Sequence, residues 1–156
     1  MDQAYLEKVE IVDVEILDIQ EITANVTIKV KGHELKCFVS NFNRQSPFFA
    51  GEKCDVVLSL MTTEHEKINS KEKNIVSTKQ FEDHCILSGE IKNFIPRAIT
   101  YYDEKTGSYY SEDTDYKYGI VDCGIFIAVE VPKDSLMKTG DYIKAEGRLD
   151  IKKVKD

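Results

Sequence analysis

The chain has no tryptophan, only three prolines and eight glycines in 156 residues, and its longest unbroken apolar run is Ile125 to Val129. A membrane-spanning helix needs about 20 apolar residues, so none is encoded. The scarcity of proline and glycine excludes collagen-like and low-complexity order. The opening MDQAYLEKVE lacks a basic stretch leading into an apolar one, and the expectation is a cytoplasmic protein with no membrane association. Basic residues are also in short supply, 21 against 28 acids for a net charge of −7. That balance disfavours a nucleic-acid binder, whose affinity rests on clustered Lys and Arg displacing counterions.

Four cysteines, Cys37, Cys54, Cys85 and Cys123, are far apart and form no C-x-x-C pair. Without a secretory signal they are expected as reduced, small hydrophobes. His84 beside Cys85, joined by Cys123 or His33, is the one zinc set the sequence offers. Structural zinc sites normally carry closely spaced ligand pairs, so neither metal nor cofactor is expected.

Catalytic apparatus is missing as well. There is no G-x-S-x-G, no Gly-rich phosphate loop and no H-E-x-x-H, and the histidines at 33, 65 and 84 pair with no evident nucleophile. Lys105-Thr106-Gly107 and Lys138-Thr139-Gly140 read K-T-G, and Ser70 to Lys73 and Ser135 to Lys138 read S-x-x-K. These are two of the three motifs of penicillin-recognising serine enzymes, but the third, S-D-N, is absent and Ser70 sits in the most polar stretch of the chain. The expectation is a protein that is not an enzyme.

What the chain does have is alternation. Ile22, Ala24, Val26, Ile28 and Val30 share one parity while Thr23, Asn25, Thr27, Lys29 and Lys31 take the other, the period-two pattern of a half-buried strand. Ile143, Ala145, Gly147, Leu149 and Ile151 repeat it near the C-terminus. Lys31-Gly32-His33 reads as a hairpin into Leu35-Cys37-Val39, and further strands are expected at Cys54 to Leu60, Ile86 to Ile95, Tyr116 to Asp122 and Ile125 to Val131. From Val9 to Ile19 the apolar parity switches after Ile11, which predicts a β-bulge there. Glu64 to Lys79 is rich in charge and helix formers with only a thin apolar stripe, and predicts a solvated helix or mobile connector. Asp134 to Lys138 predicts one helical turn. The fold class expected is all-β, or β-rich with one helix, as an antiparallel Greek-key barrel or sandwich.

Residues 1–156 read as a single domain with sub-halves 9–61 and 84–152 joined by 62–83. Laying 33–60 over 122–149 without a gap places Cys37-Phe38-Val39 on Phe126-Ile127-Ala128, Phe42 on Val131, Gly51-Glu52 on Gly140-Asp141, and Leu60 on Leu149. Only Ser46/Ser135, Gly51/Gly140 and Leu60/Leu149 are identities, so a duplication and two unrelated β-segments sharing a Gly turn both fit. In each half a strand, a hairpin, an irregular stretch and a final strand introduced by Gly-acid follow one another. That order resembles the OB-fold, a five-stranded Greek-key barrel, best over Ile86 to Ile151. The resemblance implies two OB-like halves with ligands on a sheet face and its loops.

Composition departs most from the background at Tyr101 to Tyr118, which holds six of the eight tyrosines and five acids against two lysines. Tyr101-Tyr102 and Tyr109-Tyr110 flank a turn-prone Thr106-Gly107-Ser108, so the doublets are expected to face each other across a hairpin, either as a contact surface or as caps on the core. Residues 1–21 add seven acids and one lysine. If both lie on one side they make a negative, aromatic face suited to a basic protein. The predicted partner-binding residues are Tyr101, Tyr102, Asp103, Glu104, Tyr109, Tyr110, Glu112, Asp113 and Asp115. In composition the segment looks like the surface with which toxin-neutralising immunity proteins cover a nuclease, an inhibitory role. The other class of function is an OB-type binder of oligonucleotides or oligosaccharides in which Tyr and Phe, Phe94 and Phe126 among them, stack on the ligand.

Overall fold

Among the described residues of the computed structural model nine strands form: β1 (Glu7–Ile16), β2 (Thr23–Val30), β3 (His33–Ser40), β4 (Lys53–Ile68), β5 (Asn74–Ser77), β6 (His84–Asp103), β7 (Ser108–Asp122), β8 (Phe126–Pro132) and β9 (Tyr142–Lys153). Residues 5–18, 20, 23–40, 48–78 and 81–154 are described, with the side chains of 98–100 and 113 left outside the description. Ile19, Ile22, Phe42, Ser46 and Lys79, which figured in the sequence patterns, also fall outside it.

The alternation sorts as expected. Ala24, Val26, Ile28 and Val30 are buried, as are Ile143, Ala145, Leu149 and Ile151. Lys31 and Gly32 both take positive φ, 44° and 83°, in the two-residue hairpin, the twist that a tight β-turn between right-twisted strands requires. The bulge falls where the parity switch puts it, between Ile11 and Asp13.

Two local expectations fail. Glu64 to Ile68 is no helix but the continuation of β4, and Asn74–Ser77 forms β5. His65, Glu66 and Lys67 pair with Ala145, Lys144 and Ile143 of β9. The free edge of β9 offers ladder hydrogen bonds to alternate peptide groups of this segment, which outweighs weak helix propensity in a stretch with little apolar surface to bury. Asp134 to Lys138 is a turn followed by irregular chain rather than helix.

Globally the fold is a β-rich barrel built from one mixed sheet in the order β1-β2-β3-β9-β4-β8-β7-β6-β5, with β1 also pairing β4 and β9 also pairing β6. Those two extra pairings close two five-stranded circuits, β1-β2-β3-β9-β4 and β6-β7-β8-β4-β9, which share the long antiparallel β4/β9 ladder. One contiguous apolar core fills both.

The two halves are built alike in detail. In each, the first strand pairs the second and fourth, and the third runs parallel to the other half's fourth strand. The bulge at Ile11/Asp13 has its counterpart at Ile91/Asn93. Opposite the bulges, Ile11 donates its N–H to Glu52 O (2.8 Å) and accepts from Gly51 N–H (2.7 Å), while Ile91 donates to Asp141 O (2.9 Å) and accepts from Gly140 N–H (2.8 Å). Both Gly-acid turns are capped by their own acid: the Glu52 carboxylate accepts from Phe49 N–H at 2.8 Å, the Asp141 carboxylate from Lys138 N–H at 2.9 Å. Lys138-Thr139-Gly140 is therefore a turn, with Gly140 at φ 94°. Leu60 lies directly opposite Leu149 on the shared ladder, at the centre of this internal symmetry.

The register also corrects the ungapped alignment. Cys37 pairs Val26 while Val129 pairs Gly119, and tracing both from the matched bulges superposes Cys37 on Val129, both buried, rather than on Phe126. The offset lies in the loops before the Gly-acid turns, which differ in length.

Three of the four thiols, Cys37, Cys85 and Cys123, are buried. Burial pushes Cys85 up to about 12 and Cys123 up to about 11, and raises Cys37 well above the ordinary thiol value. Only Cys54 is partly accessible. A thiol reagent such as DTNB at about pH 8 is expected to titrate about one cysteine in the folded protein and all of them after denaturation, because the thiolate is the reacting species. Rapid reaction of the buried thiols in folded protein would contradict this packing.

Candidate functional site: a tyrosine-bearing arm and its root

β6 and β7 run past the barrel as a two-stranded arm. In the first half the connection from Ile16 to Thr23 is short, whereas its counterpart from Pro96 to Tyr116 is extended by the arm. Among the described strands, β6 beyond Ile91 pairs only with β7, and β7 before Tyr116 pairs only with β6, while Asp115 O also accepts from Lys133 N–H at 2.8 Å at the root.

Strand parity and register put the tyrosine doublets opposite one another, Tyr101 on Tyr110 and Tyr102 on Tyr109. Each pair occupies one face of the ribbon, with ring centroids 5.5 Å apart and nearly stacked for Tyr101/Tyr110, and 5.1 Å apart and tilted for Tyr102/Tyr109. All four are exposed, Tyr109 to 75%. None of the four belongs to the core, so the core-cap alternative does not hold for these rings.

The acids serve different ends. Asp103 is built into the tip, its carboxylate accepting from Lys105 N–H at 2.9 Å while its carbonyl accepts from Gly107 N–H at 2.8 Å. Glu104, Glu112 and Asp115 are exposed, and the Asp113 side chain lies outside the description. Three of the N-terminal acids are occupied closer to home: Glu7 is buried against Lys31 at 3.0 Å, Glu15 lies 3.9 Å from Lys36, and Asp18, just past β1, accepts from Thr23 N–H at 3.0 Å. β1 pairs only β2 and β4 among the described strands and takes no part in the arm.

Phe94 and Phe126 sit in separate clusters. Lys117 Nζ lies 4.4 Å from the centre of the Phe94 ring, while Phe126 meets Tyr5 edge-on at 5.7 Å. His84 packs on Phe81 at 4.8 Å while the neighbouring Cys85 is buried, since adjacent strand residues face opposite ways. No group of three or more His, Cys, Asp or Glu side chains among the described residues is arranged to hold a metal.

Comparison with protein-family models, with curated proteins and with solved structures found no match.

Sequence reasoning did not single out the root of the arm. There the register slips between Pro96 and Ala98, so that Arg97 faces an extra stretch of β7 at Thr114 to Tyr116. Thr114 clasps the slip, donating its hydroxyl to Arg97 O at 2.7 Å and accepting from Tyr116 N–H at 3.2 Å. A cavity of about 280 Å³ opens beneath, lined by Phe94, Pro96, Arg97, Tyr116, Lys117 and Lys133 among others. Arg97 and Lys133 gave no signal in the sequence because only the slip in pairing brings them together.

Proposed function

We propose that this chain is a non-enzymatic protein-binding module whose arm docks on a basic partner protein, with Tyr101, Tyr102, Tyr109 and Tyr110 as anchors and Glu104, Glu112, Asp113 and Asp115 steering the encounter. One observation carries the reading: the half without the arm closes the same connection with a few residues, so the barrel has no need of the ribbon. A two-stranded ribbon standing alone in water is marginally stable, and exposed tyrosine pairs offer large contact area at small entropic cost. Covering the rings and satisfying the ribbon's edges would favour a bound partner. Inhibition of a nuclease toxin in the manner of an immunity protein is the form of this reading that the acid-and-tyrosine composition suggests.

A photo-crosslinker installed at Tyr109 identifies the partner. Affinity and melting temperature are then measured for Tyr101→Ala/Tyr110→Ala and Tyr102→Ala/Tyr109→Ala. Melting is expected to stay within about 2 °C, because exposed rings contribute little to the core, while binding weakens by about 2 kcal/mol or more, as for buried interface aromatics. Glu112→Lys with Asp115→Lys is expected to slow association more than it speeds dissociation. Loss of stability with unchanged intrinsic affinity would end this reading.

The second class, an OB-type ligand binder, has the five-stranded circuits in its favour. It is not favoured by the separation of Phe94 from Phe126 into different clusters.

A further inference from the structure

We propose that the arm joins a second copy of this chain, the β6 edges of two arms pairing antiparallel about Thr100 to make one four-stranded sheet. The docking reading uses the faces of the ribbon and this one uses its edge, so it stands whether or not a basic partner exists.

Free strand edges are a hazard that sequences normally blunt with charge, proline or shortness. Elsewhere among the described strands that precaution is visible. β1 carries Asp13 and Glu15 beyond its pairing with β4, β3 carries Glu34 and Lys36, β4 carries Glu64 to Lys67 on the side away from β9, and β5 is four residues long. On the arm itself the β7 edge carries Glu112 and Asp113. The β6 edge is the exception. Beyond Pro96 it pairs only with β7, and from Ala98 to Tyr102 it reads Ala-Ile-Thr-Tyr-Tyr, without charge and dominated by residues that favour strands.

Charge selects a second copy as the occupant. Two β7 edges brought together about a two-fold axis would set Glu112 and Asp113 beside their own copies, and like charges across a ladder destabilise it. Two β6 edges meet no such penalty. Their uncharged run is bounded by opposite charges, Arg97 at the root and Asp103 at the tip. Antiparallel pairing about Thr100 therefore matches unlike ends, where parallel pairing would match like ones. Arg97 already lies 3.0 Å from the Glu130 carboxylate, so this match sets orientation more than affinity. In the same register Tyr101 comes opposite Ile99 of the partner, an aromatic and β-branched pairing that stabilises sheets. Antiparallel arms also send the two barrels to opposite ends of the joint. Growth stops at two copies, because the outer edges of the joined sheet are then the acidic β7 strands. A lone two-stranded ribbon is marginal in water and added strands remove that weakness, so pairing stabilises an arm that the barrel itself does not require.

The test is sedimentation of the full chain, alone and across a range of concentrations, for the parent, Thr100→Lys, Thr100→Glu and Ser111→Lys. A melting curve on each variant confirms that the barrel is folded. The parent is expected to dimerise with Kd about 100 μM or tighter. Thr100→Lys and Thr100→Glu each set like charges together at the two-fold axis and should weaken the dimer about tenfold or more. Mixing these two variants should restore association, because unlike charges then meet there. Ser111→Lys, on β7 opposite Thr100, should leave Kd within about threefold of the parent, as a surface change away from the joint does. Any of the following overturns the proposal: a parent that stays monomeric up to about 1 mM, a dimer unchanged in Thr100→Lys or Thr100→Glu, a mixture that associates no more tightly than either variant alone, or loss of the dimer in Ser111→Lys. None of these outcomes bears on capture of a partner at Tyr109, so the two readings fail separately.

Discussion

Gly147→Ala is expected to destabilise the protein by about 3 kcal/mol or more, and Gly89→Ala by a similar amount. A methyl group on Gly147 would be driven into the carbonyl oxygen of Met61, and one on Gly89 into the carbonyl oxygen of Asp122. Neither obstacle is a side chain that can rotate aside. Gly147 is held between two strands, opposite Thr62 of β4 and Cys85 of β6. Relief therefore requires prising the shared ladder open and losing hydrogen bonds, the mark of a glycine set where another backbone approaches closely. Gly51→Ala is the matching control. At φ 89° with no atom within 4 Å of the added carbon, it incurs only the strain of a left-handed L-residue, about 1–2 kcal/mol. Equilibrium denaturation in urea ranks the three. A Gly147→Ala protein within about 0.5 kcal/mol of the parent would show that β4 and β9 are not packed as described.

Leu60→Ala and Leu149→Ala are each expected to lower stability by about 2–5 kcal/mol, through lost burial and the cavity left behind. Both side chains are only 1% exposed, and they face each other across the ladder that belongs to both circuits. Because they share one environment, the double variant should lose less than the sum of the single losses. The pair also tests cooperativity. With β4 and β9 common to both circuits, weakening them weakens both halves together, so a single unfolding transition is expected for parent and variants alike. Two resolved transitions, one insensitive to Leu60→Ala, would mean that the halves fold independently.

Apolar parity by itself determined the strands, since period-two alternation can bury one face only when the chain is extended. It placed the bulge near Ile11, while glycine-containing turns placed the hairpin at Lys31-Gly32 and the facing of Tyr101-Tyr102 on Tyr109-Tyr110, because each of these depends on residues close in sequence or on a single turn. Gly51-Glu52 and Gly140-Asp141 were legible as matching turns for the same reason, their capping bonds being local.

Tertiary structure decided the rest. Glu64 to Ile68 is strand because β9 offers an edge, and no property of EHEKI records that edge. The closing of two circuits around one shared ladder depends on β1 meeting β4 and β9 meeting β6 across long stretches of chain, contacts that leave only apolar residues as their trace. The true equivalence of Cys37 with Val129 was hidden because loop length shifts the alignment without changing the pattern of burial. Arg97 comes to line one cavity with Lys117 and Lys133 at the slip in pairing after Pro96. Local sequence determines which way a side chain points along its own strand, whereas which cations share a cavity depends on how the strands are paired.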